Sequence, residues 1–153
     1  MTEDKNNLQL IKKLRGEMGA SIFDIREAVE EALGDEKKAR ELLAKKSAKI
    51  AAKKADRATG EGIVYAYIHA NSRVGVLVQL SCETDFVAKT TDFVELAKEI
   101  ALQVAAMDPE TVEELLEMDY VRVSSKKIKD LVEEVVGKLG ENIQIARFIR
   151  YSI

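Results

Sequence analysis

The stretch from Ile63 to Leu80 limits the possible folds more than any other part of the chain. Ile63-Val64-Tyr65-Ala66-Tyr67-Ile68-His69 is a run of β-branched and aromatic residues, and Val74 to Leu80 is a second apolar run. Such residues favour pleated strands. Asn71-Ser72 between the runs predicts a two-residue turn, although a weaker one than Asn-Gly. A hairpin turn sets the register. Ile63 then faces Leu80, Tyr65 faces Val78, Tyr67 faces Val76 and His69 faces Val74, while Val64 faces Gln79, Ala66 faces Leu77 and Ile68 faces Gly75 on the opposite side. Both sides are largely apolar. One therefore needs helices of the same chain as a cover, and the other is expected to meet a partner.

Helices to cover one side follow in the chain. After Ser81-Cys82-Glu83-Thr84-Asp85-Phe86, the residues Phe93, Val94, Ala97, Ile100, Ala101 and Val104 recur at helical spacing. Asp108-Pro109 ends that helix, because proline disfavours helical backbone in the residue before it. Residues 110–118 predict a short acidic helix. Ser124 or Ser125 is the expected cap of another, carrying Ile128, Leu131, Val132, Val135 and Leu139 and closing at Gly140. Residues 143–151 predict a last strand. Three strands with helices on one side give an α+β layer.

Upstream, three short helices are expected. Leu8, Ile11, Leu14 and Met18 mark the first, which Gly16 and Gly19 weaken and end. Ser21 caps the second, with Ile22, Ile25, Val29 and Leu33 as its stripe and Gly34 closing it. Asp35 caps the third, with Ala39, Leu42 and Leu43 facing inward. That helix continues into an alanine-rich basic stretch in which Lys45, Lys49, Lys53 and Arg57 recur every four residues. The expected division is a three-helix module over 1–45, a basic helical linker over 46–61 and an α+β core over 62–153.

Charge and chemistry narrow the function. Charged residues make up 33% of the 153, the net charge is −3, and no apolar run spans a bilayer. An acidic total argues against general adhesion to nucleic acid or anionic membrane. The N-terminus, Met1-Thr2-Glu3-Asp4-Lys5, has no basic start followed by an apolar stretch, so no secretory signal is expected and a cytoplasmic location fits. His69 and Cys82 are the single histidine and cysteine. Neither a disulfide nor a zinc site follows from them, and no phosphate-cradling glycine loop or nucleophile elbow accompanies them. A binding protein without cofactor or metal is expected rather than an enzyme.

Four segments resemble one family, in order along the chain. They are Met18-Gly19-Ala20 with Asp24, Ala51-Ala52-Lys53-Lys54-Ala55 with Glu61-Gly62, Gly75-Val76-Leu77-Val78 through Cys82-Glu83-Thr84-Asp85-Phe86-Val87-Ala88, and Gly140-Glu141-Asn142-Ile143 with the basic last strand. The set resembles the translation elongation factor Ts family. Met18 stands where threonine is usual, Ser21 where glycine is common, and Ile25 where cysteine is frequent. The stretch from Pro109 to Ser124 is short, and one sheet-bearing subdomain is present where longer members have two.

The resemblance implies an N-terminal module similar to ubiquitin-associated domains that docks on elongation factor Tu. It implies a Thr84-Asp85-Phe86 loop, followed by Val87, that wedges near the Mg²⁺ and phosphate site and promotes GDP release. His69 matches a strand-end histidine that touches the partner in some members. In the first module, Leu14, Met18, Gly19, Ile22 and Phe23 are the expected contacts. The partner is expected in both GDP-bound and nucleotide-free forms, and a homodimer would supply the missing second subdomain.

Plainer readings stand beside these. On pattern alone Asp85 is a helix cap and Phe86 a staple onto the next helix. The basic face is a solvated surface or, as the alternative function, an RNA contact whose binding falls steeply with salt. Cys82 is a small packing residue or the nucleophile of a small enzyme, and Tyr65 and Tyr67 are core rings or a dimer face.

Overall fold

The computed structural model describes the backbone of residues 2–153 and the side chains from Lys5 onward. Strands β1 (Glu61–Ile68) and β2 (Val74–Cys82) form the antiparallel hairpin in the register that the alternation predicts, from Ile63 opposite Leu80 to Ile68 opposite Gly75. The connection differs from the expected two-residue turn. The His69 amide donates to the Val74 carbonyl at 2.9 Å, and the tight turn sits earlier, with the Ser72 amide donating to the His69 carbonyl at 2.8 Å. A two-residue type I′ turn needs two successive left-handed residues. Of these two only Ser72, at φ 55°, adopts that conformation, so a four-residue loop forms around the same centre and the register is kept.

Strand β5 (Ile143–Ser152) pairs antiparallel with β2 and completes a three-stranded sheet in the order β1-β2-β5. The pairing shifts by one residue between Gln79, opposite Arg147, and Leu80, opposite Ile145, leaving Ala146 as a bulge. Such an extra residue exchanges the two sides of a strand. Ile143 and Ile145 therefore face the helices, whereas Arg147, Ile149 and Tyr151 turn to the open side.

The helix-covered side is the main core. Val76, Val78 and Leu80 are buried against Phe93, Ala97, Ile100 and Val104 of the long helix α5 (Thr91–Met107), with Ile63, Tyr65 and Tyr67 packed around them. Helix α5 ends before Pro109, with Asp108 left-handed. The short acidic helix α6 (Val112–Glu117) follows, and then a small hairpin of β3 (Asp119–Tyr120) and β4 (Val123–Lys127) that the sequence did not suggest. Ser124 and Ser125 lie in β4 and cap nothing. Helix α7 (Ile128–Leu139) begins later, where the Lys127 amide donates to the Asp130 carboxylate at 2.8 Å. The buried Gln103 side chain anchors the small hairpin through the Asp119 carbonyl and the Val121 amide.

The N-terminal module consists of α1 (Thr2–Met18), α2 (Ile22–Glu31) and the start of α3 (Glu36–Lys54) around a second core of Leu14, Ile25, Ala28, Val29, Ala39 and Leu43. Ser21 and Asp35 cap α2 and α3 as expected, accepting from the amides of Asp24 and Lys38. Leu33 departs from the expected stripe. It is 93% exposed because the chain is already left-handed there, one residue before Gly34. Helix α3 runs unbroken past residue 45 to Lys54, so module and linker share one rod. Its second half lies against α7 and brings Ile50 and Ala51 to the main core. Arg57 lies beyond the helix end and is not part of the expected basic helical face.

Candidate partner-binding site

The segment after β2 is built by its caps. The buried Cys82 thiol ends the strand and donates to the Thr84 carbonyl at 3.1 Å. Burial, reinforced by the nearby Glu141 carboxylate, pushes its pKa up and so keeps it from being a ready thiolate. The Thr84 hydroxyl accepts from the Val87 amide and thereby opens the single-turn helix α4 (Asp85–Ala88). Val87 and Ala88 turn into the main core, which anchors the turn. Phe86, on the opposite side, is 80% exposed. It is not stapled onto α5. Thr84 is the cap, and Asp85 is the first helical residue. The Asp85 carboxylate accepts from Lys89 at 2.7 Å, and this lysine holds its pKa below the ordinary value.

A second loop holds this one from below. The Glu141 carboxylate accepts three hydrogen bonds, from the Glu83 amide at 3.1 Å, the Thr84 amide at 3.0 Å and the Thr84 hydroxyl at 2.6 Å. In return, the Asn142 amide donates to the Glu83 carboxylate at 2.7 Å. The buried Asn142 side chain donates to the carbonyls of Ala55, at 3.2 Å, and Arg57, at 2.7 Å, just past the end of α3. No periodicity argument pairs residues 57 to 59 positions apart. The only signal was the Gly140-Glu141-Asn142 segment, which carried no role.

On the N-terminal module, Ile22 and Phe23 are the first residues of α2, and Phe23 is 71% exposed. The Lys46 ammonium stands 5.9 Å from the centre of the Phe23 ring, in cation–π range, while also bonding Asp24 and Glu27. Two of the expected contacts differ from these. Leu14 is fully buried in the module core, and Val87 is buried in the main core, so both support the surface from beneath. Met18 is half-buried against the module core. Gly19, at φ 59°, lies under the Lys138 side chain, where a Cβ would fall 2.3 Å from Cε. His69 is exposed at the end of the hairpin, its Nδ1 3.0 Å from the Tyr67 hydroxyl.

The open side of the sheet presents Val64, Ile68, Leu77, Ile149 and Tyr151, all exposed. The groove between α2 and α3 mixes charges. Lys45, Lys46 and Lys49 line it together with Asp24, Glu27 and Glu31, in a volume of about 350 Å³. Among the described residues no group of three His, Cys, Asp or Glu side chains could hold a metal ion, and no helix is long and apolar enough to cross a membrane.

Two exposed rings, Phe23 and Phe86, thus stand each on a capped helix start and each backed by its own core. A family model described as Elongation factor TS matches residues 83–153, the part that begins with the Phe86 segment. The chain is 42% identical to the elongation factor Ts of Thermotoga neapolitana, over 96% of each chain. It is 40% identical to that of Petrotoga mobilis, over 96% of this chain and 98% of that one. It is 36% identical to that of Oleidesulfovibrio alaskensis, over 94% and 96%. The protein belongs to the elongation factor Ts family. The alignment with the Thermotoga protein spans 190 positions, more than the 153 residues here, so that relative carries residues this chain lacks.

Proposed function

We propose that this protein is a guanine nucleotide exchange factor that binds elongation factor Tu in the cytoplasm and accelerates its release of GDP. The observation that carries the reading is Phe86, an aromatic ring left largely in solvent on a turn whose next two residues, Val87 and Ala88, are fixed in the core. A rigid aromatic group exposed in this way has a large contact area to give up to a partner. Thr84 and Asp85 flank it, and Ile22 and Phe23 form the second contact, on the module over 1–45. The α3 rod and the segment to residue 61 connect that module to the core over 62–153. His69 is an accessory contact.

The mechanism is differential binding. If Phe86 fits a form of the GTPase that holds nucleotide poorly, binding the ring must weaken nucleotide affinity, and nucleotide must weaken the ring's affinity by the same factor. Coupling of this kind needs no bond-making step from this protein, only a difference in its affinity for the two forms of the partner. The apolar open side of the sheet supports a homodimer, with a second copy covering Leu77 and Ile149. The basic-face alternative has less support, because Lys45 and Lys49 border Asp24, Glu27 and Glu31. The test is stopped-flow release of fluorescent GDP from elongation factor Tu. Release is expected to accelerate with added protein, and an unchanged rate at saturating protein would end the proposal.

A further inference from the structure

We infer that Glu141 is a positioning residue for Phe86, and that the 140–142 loop sets where the ring stands relative to α3. The inference rests on the exchange reading above. The ring belongs to a four-residue helix, too short to hold its own shape. Its N-terminal entry carries two amides and one hydroxyl, and all three donate to the single Glu141 carboxylate. A carboxylate accepting several N–H and O–H groups makes shorter and stronger bonds than a neutral acceptor. The next residue, Asn142, is buried and ties the same loop to the carbonyls of Ala55 and Arg57. Lys54, on the last turn of α3, donates to the Gly140 carbonyl at 2.6 Å. One three-residue loop therefore grips both the Phe86 turn and the end of the rod that leads to Phe23.

A ring held in its bound position spares the partner the cost of ordering it. Loss of the Glu141 carboxylate leaves Phe86 chemically intact but free to wander, so binding weakens while the contacting side chain is still present. Glu141 is half-buried and belongs to neither core, so its loss leaves the apolar packing of both cores in place and acts on the three donors it held.

The test joins two measurements on the full chain. In amide hydrogen exchange, Glu141→Ala is expected to speed exchange at residues 83–87 by about tenfold or more, the factor set by losing one net charge-assisted hydrogen bond, with α5 unchanged. In GDP release from elongation factor Tu, the same variant is expected to lower efficiency by about tenfold, mainly by raising the concentration for half-maximal rate. In a Phe86→Ala background it should cost less than about twofold, because a positioning group has no effect once its target is gone. Glu141→Gln keeps one accepting oxygen and is expected to fall between. It also serves as the test variant should the alanine change fail to fold. Unchanged protection at 83–87 would overturn the inference, and so would an equal loss of efficiency with and without the Phe86 ring. If the unaltered protein does not accelerate GDP release, the exchange reading fails, while the amide measurement still decides whether Glu141 orders the turn.

Discussion

Phe86→Ala separates a contact role from a structural one by numbers that differ widely. About one fifth of the ring is covered in the free protein. Complete burial of a phenylalanine side chain contributes about 1.5–3 kcal/mol, so its truncation here removes about 0.3–0.6 kcal/mol. For a chain of this size that is a fall in Tm of about 1–2 °C. Phe93, fully buried under the sheet, is the internal control, and its change to alanine should cost about 3–5 kcal/mol. Against elongation factor Tu the order reverses. Truncating a central aromatic contact costs at least about 2 kcal/mol, or about thirtyfold in exchange efficiency. The assays are thermal unfolding and stopped-flow GDP release on the same preparation. If Phe86→Ala melts as early as Phe93→Ala, or releases GDP as fast as the unaltered protein, the reasoning from exposure is refuted.

Three further outcomes follow from named contacts. The Lys46 hydrogen bond holds the Asp24 pKa below the ordinary 3.8, so Asp24 adds stability above that value and loses it as the pH falls through its lowered one. Urea midpoints compared between about pH 6 and about pH 2 should show Asp24→Asn costing up to about 1 kcal/mol at the upper end and less at the lower. Gly137→Ala would place a methyl group 2.6 Å from the Ser47 Oγ and 3.0 Å from its Cβ, where α3 and α7 meet. It should destabilise by about 1–3 kcal/mol despite alanine's higher helix propensity, with recovery on adding Ser47→Gly, read as denaturant midpoints. Leu77→Glu on the open side of the sheet should leave the fold intact but give a 17.0 kDa species by sedimentation where the unaltered protein runs as a dimer. A monomer in both would remove the homodimer.

How much of this was legible depended on the range of the interaction. The β1–β2 register was readable because alternation and a short connection together leave one pairing. The caps at Ser21 and Asp35 were readable because a cap acts within three residues. The small β3–β4 hairpin was not, since Ser124-Ser125 before an apolar helical stripe looks like a cap and nothing local signals that Gln103 will hold the strands. The Ala146 bulge escaped as well. Ile143, Ile145, Ile149 and Tyr151 alternate as if on one side, and only the pairing with β2 divides them. In the site, the Thr84-Asp85-Phe86 segment stood out by resemblance, but its exposure did not follow from pattern, which favoured a staple. Leu14 was expected at the surface, yet its helical spacing with Ile11 and Met18 equally fits the core position it occupies. Glu141 was invisible as a support because its partners are far away in sequence.

The central claim is that the protein prefers a form of elongation factor Tu that holds nucleotide poorly. Titration calorimetry against nucleotide-free and GDP-saturated elongation factor Tu tests it without relying on a rate. The account predicts tighter binding to the nucleotide-free form, by the same factor by which this protein weakens GDP binding. Equal affinity for the two forms would contradict it, however tight the binding.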